Sequence, residues 1–146
     1  MSVTFCGHGD IYYDSDIKQS LQKEIETAIK RDETEFLLGG YGNFDLLAAT
    51  VLKNLKSKYP KIKSTLVTPY IDKKYDTNLY DESVYPPLEN VPKKFAIIKR
   101  NEWTVDKSNL IIAYVKHSWG GASRTLNYAV KKKKDIVNLA NQNSNT

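Results

Sequence analysis

Cysteine is almost missing from this chain of 146 residues, where Cys6 stands alone. One thiol makes no internal disulfide and no cysteine-based zinc site, which fits a reducing cytoplasm. Five prolines and seven glycines are too few for a collagen-like or low-complexity chain. No run approaches the ~18 apolar residues that span a bilayer. The opening MSVTFCGHGD has no basic segment leading into an apolar core, so no secretion signal is expected. Histidine is limited to His8 and His117, with no carboxylate pattern beside them, so no metal site is expected. No cofactor is expected either. Arginine is limited to Arg31, Arg100 and Arg124 among 22 basic residues. In so lysine-biased a chain, an arginine marks a place where a planar fork is useful.

What is present is enough for one domain. Hydrophobic residues make up 40% of the chain. A chain of this length buries about 68–70% of the surface it exposes when unfolded. The formal net charge is +5, which suits anionic partners such as nucleotides. Its distribution argues against nucleic acid: Lys131, Lys132, Lys133 and Lys134 form one run, and the other bases read as interspersed with acids.

The pattern alternates strand and helix. Val3–Cys6 is short, apolar and β-prone. Asp14-Ser15-Asp16 supplies N-cap chemistry for a helix from about 16 to 31, with Ile17, Leu21, Ile25, Ala28 and Ile29 at helical spacing. Glu35–Leu38 is a second strand. Asn43 is the expected cap of a second helix with Leu46, Leu47, Thr50, Val51 and Leu55 on its apolar face, ended by Pro60. Thr65–Thr68 is a third strand. Residues 70–92 break the rhythm with four tyrosines and three prolines, and read as a lid or as a surface loop pinned by its aromatics. Phe95–Ile98 suits the start of either a strand or a helix, and the spacing of Phe95, Ile98 and Val105 favours a helix over 94–107; a strand over Leu110–Val115, a helix over 121–133 and a strand over Asp135–Leu139 complete the series. This predicts an α/β, Rossmann-like, doubly wound domain over 1–140. About five parallel strands carry helices on both faces, and a polar tail covers 141–146.

Four unusual clusters each follow the carboxyl end of a predicted strand. They are Gly7-His8-Gly9-Asp10, Gly39-Gly40-Tyr41-Gly42-Asn43, Pro69-Tyr70, and His117-Ser118-Trp119-Gly120-Gly121-Ala122-Ser123. In open α/β sheets those ends share one edge, where ligands sit. Two clusters are glycine turns opening helices, a combination that binds phosphate or carboxylate through unpaired N–H groups. Each also reads as a plain tight turn. Neither is a Walker loop or a dinucleotide fingerprint. His8 and His117 are candidate donors or a base, or buried histidines bonded to a loop. Trp119 and Trp103 are candidates to stack on a base, Trp103 alternatively being core. Arg100 and Arg124 are candidate phosphate forks, Arg124 alternatively a solvated helix residue.

In this order, CGHGD, LLGGYGNFD, LVTPY and HSWGGASRTLNYA resemble the SLOG superfamily over about 3–139. That group includes LOG phosphoribohydrolases, DprA proteins and small YpsA-like proteins, and the small single-domain bacterial members are the nearest in form. The resemblance implies a nucleotide or ADP-ribose-type ligand, antiphage signalling as one setting, and a homo-oligomer. LOG enzymes carry GGxGTxxE, whose glutamate acts on ribose. Here Gly39, Gly40 and Gly42 match, Asn43 replaces the threonine, and Leu46 replaces the glutamate. Asp45 lies one position early, which turns it about 100° around a helix. Arg100 matches the LOG arginine.

The expectation is therefore a cytoplasmic binding domain for a nucleotide-derived small molecule. Its ligand-binding set is Gly7, His8, Gly39, Gly40, Gly42, Asn43, Tyr70, Arg100, His117, Trp119, Gly120, Gly121, Ala122 and Ser123. The alternative is a nucleoside-phosphate N-glycosidase or other nucleotide hydrolase using Asp45 or Asp106 with Arg100. No membrane partner is expected.

Overall fold

The computed structural model describes residues 2–143. Six parallel strands form one sheet in the order β4-β3-β2-β1-β5-β6. They are β1 (Ser2–Gly7), β2 (Glu35–Leu38), β3 (Lys63–Val67), β4 (Glu82–Val84), β5 (Leu110–Tyr114) and β6 (Asp135–Asn138). The helices are α1 (Ser15–Lys30), α2 (Asn43–Leu55), α3 (Ala96–Lys107), α4 (Gly121–Lys131) and α5 (Leu139–Asn143). The Rossmann-like expectation holds, with one strand more than expected. That strand, β4, lies inside the 70–92 segment, pairs with β3 and is exposed throughout. Three residues, Glu-Ser-Val, at a sheet edge carry no apolar alternation to read.

Alternation along the strands assigns the two faces. Val3 and Phe5 of β1, Phe36 and Leu38 of β2, and Ile112 and Tyr114 of β5 face α1, α2 and α5 in the larger core. Cys6 of β1 and Ile111 and Ala113 of β5 face the other way, against Val105 of α3 and Ala129 of α4. Strands buried on both faces are what a parallel sheet requires. Burying side chains such as Phe36, Phe44, Leu21 and Ile25 completely contributes about 1.5–3 kcal/mol each.

The cap of α1 is as expected, and two other expectations are corrected. Asp14 caps α1 by accepting the Ile17 N–H at 2.9 Å. Asn43 does not cap α2; Gly42 is the cap, and the Asn43 amide donates instead to the Ile11 carbonyl. The expected tail at 141–146 begins inside α5, and 144–146 lie outside the described residues. No helix among the described residues is long and apolar enough to cross a membrane.

Charge is segregated rather than interspersed. Residues 93–134, which carry α3, β5 and α4, hold 11 of the 22 basic residues and only 2 of the 17 acids. That segment is +9 and the rest of the chain −4. Helices α3 and α4 pack together, which brings the exposed bases Lys99, Lys107, Arg124 and Lys131 onto neighbouring elements.

Candidate functional site

The sheet reverses direction of winding between β1 and β5, where a crevice opens at the strand carboxyl ends. A cavity of about 430 Å³ lies there. Its walls come from the loops after β1, β2 and β5, the first turn of α2 and the first two turns of α3 and α4.

His8 follows β1 and is buried. Its Nε2 accepts the Lys116 N–H at 2.8 Å, so the ring proton sits on Nδ1. Burial, then the neighbouring His117, lowers its pKa below the ordinary histidine value and keeps the ring neutral. The His117 ring stacks on His8 with centroids 4.1 Å apart, and Trp119 stacks on His117 at 4.4 Å and 10°. Three rings thus form one column, from the buried His8 to Trp119, which is 68% exposed. Below the column, the Tyr13 hydroxyl donates to the His8 carbonyl at 2.6 Å, and Tyr13 packs on Phe44 and Tyr114. Gly7 makes room for this support: a Cβ there would fall 2.2 Å from the Phe44 ring.

The second wall is the loop after β2. Asp45 occupies the first turn of α2, three residues after its cap, and its Oδ2 accepts the Gly39 N–H at 3.2 Å. Burial pushes its carboxyl up to about 6, opposed by the Arg100 charge and by N–H groups of Tyr41, Gly39 and Gly40. Asp45 therefore lines the cavity, and the expectation that it turns away is corrected. Side chains in a helix's first turn lean back over its N-terminal end. Leu46, in the position of the LOG glutamate, is exposed instead. Arg100 is buried, with Nη1 donating to the carbonyls of Gly39 at 2.9 Å and Val67 at 2.7 Å. It ties the ends of β2 and β3 together while its guanidinium borders the cavity.

The third wall is the start of α4. Gly120 has φ +92°, and a Cβ placed on Gly120 or Gly121 would meet nothing within 4 Å. The Cys6 thiol donates to the Ala122 carbonyl at 3.0 Å, anchoring this turn to β1. Burial raises that thiol to about 12, so it stays protonated and unreactive.

Of the predicted residues, the cavity gathers Gly7, His8, Arg100, His117, Trp119, Gly120, Gly121 and Ala122, together with Asp45. Gly39, Gly40, Gly42 and Asn43 form the wall behind it without lining it. Ser123 is buried within α4. Tyr70 lies off the cavity, its hydroxyl donating to the Lys93 carbonyl at 3.3 Å. Asp106 is remote, at the far end of α3, where it accepts the Tyr128 hydroxyl at 2.9 Å. Trp103 is half-buried on α3, with the Lys107 ammonium over its ring. Asp10, Tyr41, Asn101 and Thr125 line the cavity without having been predicted. Asn101 and Thr125 follow Arg100 and Gly121 by one and four positions, so helical offset from the predicted residues was the available signal. Among the described residues, no group of three or more His, Cys, Asp or Glu could hold a metal ion.

The family model described as the YspA SLOG family (YpsA) matches residues 13–143. The chain belongs to the YpsA SLOG family. Among its relatives is the SPbeta prophage-derived protein YoqJ of Bacillus subtilis, 30% identical, covering 79% of this chain and 81% of YoqJ. Solved structures share the fold. DprA of Streptococcus pneumoniae aligns with TM-score 0.66 at 16% identity, over 92% of this chain and 48% of DprA. The molybdenum cofactor carrier protein of Chlamydomonas reinhardtii aligns at 0.58 and 16%, over 92% of this chain and 74% of the carrier. In this SLOG chain, the switch point of the sheet carries the ring column, the Asp45–Arg100 wall and the open start of α4.

Proposed function

We propose that this SLOG domain binds a nucleotide-derived small anion in the β1/β5 cavity and holds it intact. The observation that carries the reading is the His8–His117–Trp119 column beside the open start of α4. An exposed indole with one face already stacked is a platform for a planar base. The positive end of α4, where a Cβ on Gly120 or Gly121 would meet nothing within 4 Å, suits a phosphate. About 430 Å³ lies within the size range of small-molecule sites. Asp45, on the wall after β2, is suited to accept hydrogen bonds from a sugar hydroxyl. The same carboxylate repels a phosphate from the loop after β2, which leaves α4 as the anion end. The carrier protein among the fold neighbours supports a holding role as one use of this architecture.

A second reading is cleavage of the N-glycosidic bond, and Asp45 favours it. A cavity-lining carboxyl raised to about 6 beside Arg100 is suited to stabilise positive charge on a sugar or to exchange a proton near neutral pH.

Thermal melting against AMP, ADP-ribose, NAD, cyclic ADP-ribose isomers and cyclic dinucleotides, with mass spectrometry of each mixture, decides between them. A ligand at 100 times its Kd stabilises by about 2.7 kcal/mol. A shift with intact ligand supports holding. Released base supports cleavage, and Asp45→Asn then abolishes it. No shift and no cleavage across the panel overturns the nucleotide reading.

A further inference from the structure

A second cavity, of about 320 Å³, runs between α3 and α4. It is not separate from the first: Ile97, Asn101, Gly121 and Thr125 border both. The joint between them is low, because no Cβ stands at Gly121 and one there would touch nothing. Along the groove, Ile97, Ile98 and the Tyr128 ring give an apolar wall. Arg124 and Lys131, two turns apart on α4, give two exposed cations. Glu102 also borders the groove, and its carboxylate is paired with Lys99 at 3.2 Å. The groove lies in the segment that carries +9.

We propose that this groove is a second nucleotide subsite, so that the ligand is a two-unit, phosphate-bridged molecule of the dinucleotide class. The inference rests on the nucleotide reading of the first cavity. One nucleoside stacks at Trp119, its phosphate crosses the start of α4 over Gly121, and the second base packs between Ile97, Ile98 and Tyr128. Arg124 and Lys131 hold the anionic backbone of the second unit. Each cavity falls within the size range of small-molecule sites, and joining two sites through one ligand raises affinity without further contacts.

Calorimetry with the four nucleoside 5′-monophosphates and the matching 5′-phosphorylated dinucleotides tests it. The expected result is a dinucleotide Kd at least about tenfold below that of its mononucleotide. Arg124→Ala/Lys131→Ala removes that gain and leaves mononucleotide binding within about twofold, with the circular dichroism spectrum unchanged. Equal affinity for both lengths overturns the second subsite while leaving the first. Equal loss for both lengths in the double variant overturns its placement between α3 and α4. A further tenfold gain with each added nucleotide overturns the two-unit limit in favour of a strand-binding track. No binding of any probe overturns this inference together with the nucleotide reading.

Discussion

Two helices in this domain begin in the same way and end up with opposite properties. Both α2 and α4 are capped by a glycine with no side-chain cap, Gly42 at φ 93°, ψ 169° and Gly120 at φ 92°, ψ 177°. At α2 the start is closed. The Asn43 N–H donates to the Gly9 carbonyl at 3.0 Å, and a Cβ on Gly42 would fall 2.6 Å from the Gly9 Cα. The Asp45 carboxylate occupies the donors of the preceding loop. At α4 the start is open on both Gly120 and Gly121. A glycine turn before a helix therefore states only that the backbone needs positive φ. Whether that turn receives an anion is decided by what else is packed on it. At α2 the chain supplies its own carboxylate.

The comparison breaks first at Gly42. Gly42→Ala meets backbone strain of about 1–3 kcal/mol and an overpacking cost of about 1–3 kcal/mol. Together these are about 2–6 kcal/mol, and a drop in Tm of roughly 4–24 °C by calorimetric scanning is expected, at about 2–4 °C per kcal/mol. Gly120→Ala meets the strain alone, so its Tm falls by about half as much. An equal fall in both variants would mean that the Gly9–Gly42 contact does not close α2. Ligand binding should order the two oppositely, with Gly120→Ala weakening it more per degree of Tm lost.

The sequence made four strand ends legible, those of β1, β2, β3 and β5, because Gly, Pro or His follows an apolar run there. The parallel sheet and its shared carboxyl edge follow from the strand–helix alternation, whereas the strand order, and with it the crevice between β1 and β5, came from the structure. The short edge strand β4 was not legible, because Glu82, Ser83 and Val84 are all exposed and carry no period. Asp45 was misread because a rotation of one residue was counted on a mid-helix wheel. In the first turn a side chain folds back past the cap, and that depends on the loop before it. Asp106 was unreadable for a different reason. Its distance from the site is set by how far α3 runs, and spacing along the sequence does not fix which end of a helix a site takes. The basic segment was missed because the run 131–134 was read apart from the bases of 93–124, among which only Glu102 and Asp106 are acidic.

Asp45 sharpens the comparison through pH. Its carboxyl rises from 3.8 to about 6 on folding. Between those values the native state binds more protons than the unfolded state, so this group's contribution to stability falls as pH rises. The stability of Asp45→Asn relative to the parent should therefore grow from pH 4 to pH 6 and level off above. The gain is about 1–2 kcal/mol after allowing for partial exposure of the carboxyl. His8 runs the other way: its lowered pKa makes stability fall as pH drops below the ordinary histidine value of 6.5. Urea unfolding of both proteins across pH 4–7 isolates the Asp45 share as a difference. A difference that stays flat with pH would mean that the carboxylate is fully solvated and does not seal the α2 loop.

The smallest effect on the fold is expected at the open end. Trp119 is 68% exposed and stacks only on His117. Trp119→Ala should change stability by no more than about 0.5 kcal/mol, the usual range for a surface site. Its effect on ligand should be far larger, because one aromatic platform contributes about 1–3 kcal/mol per stacked base. That corresponds to a Kd roughly 5–150 times higher, read by calorimetry beside an unchanged melting curve. Trp119→Phe keeps a stacking face and should recover most of the affinity. If Trp119→Ala leaves the Kd unchanged, the column is only a cover over His8, and the openness of α4 loses its neighbour and its meaning as a nucleotide site. If affinity falls while Tm holds, the asymmetry between the two helix starts is functional: one is spent on closing the fold, and the other is kept for the ligand.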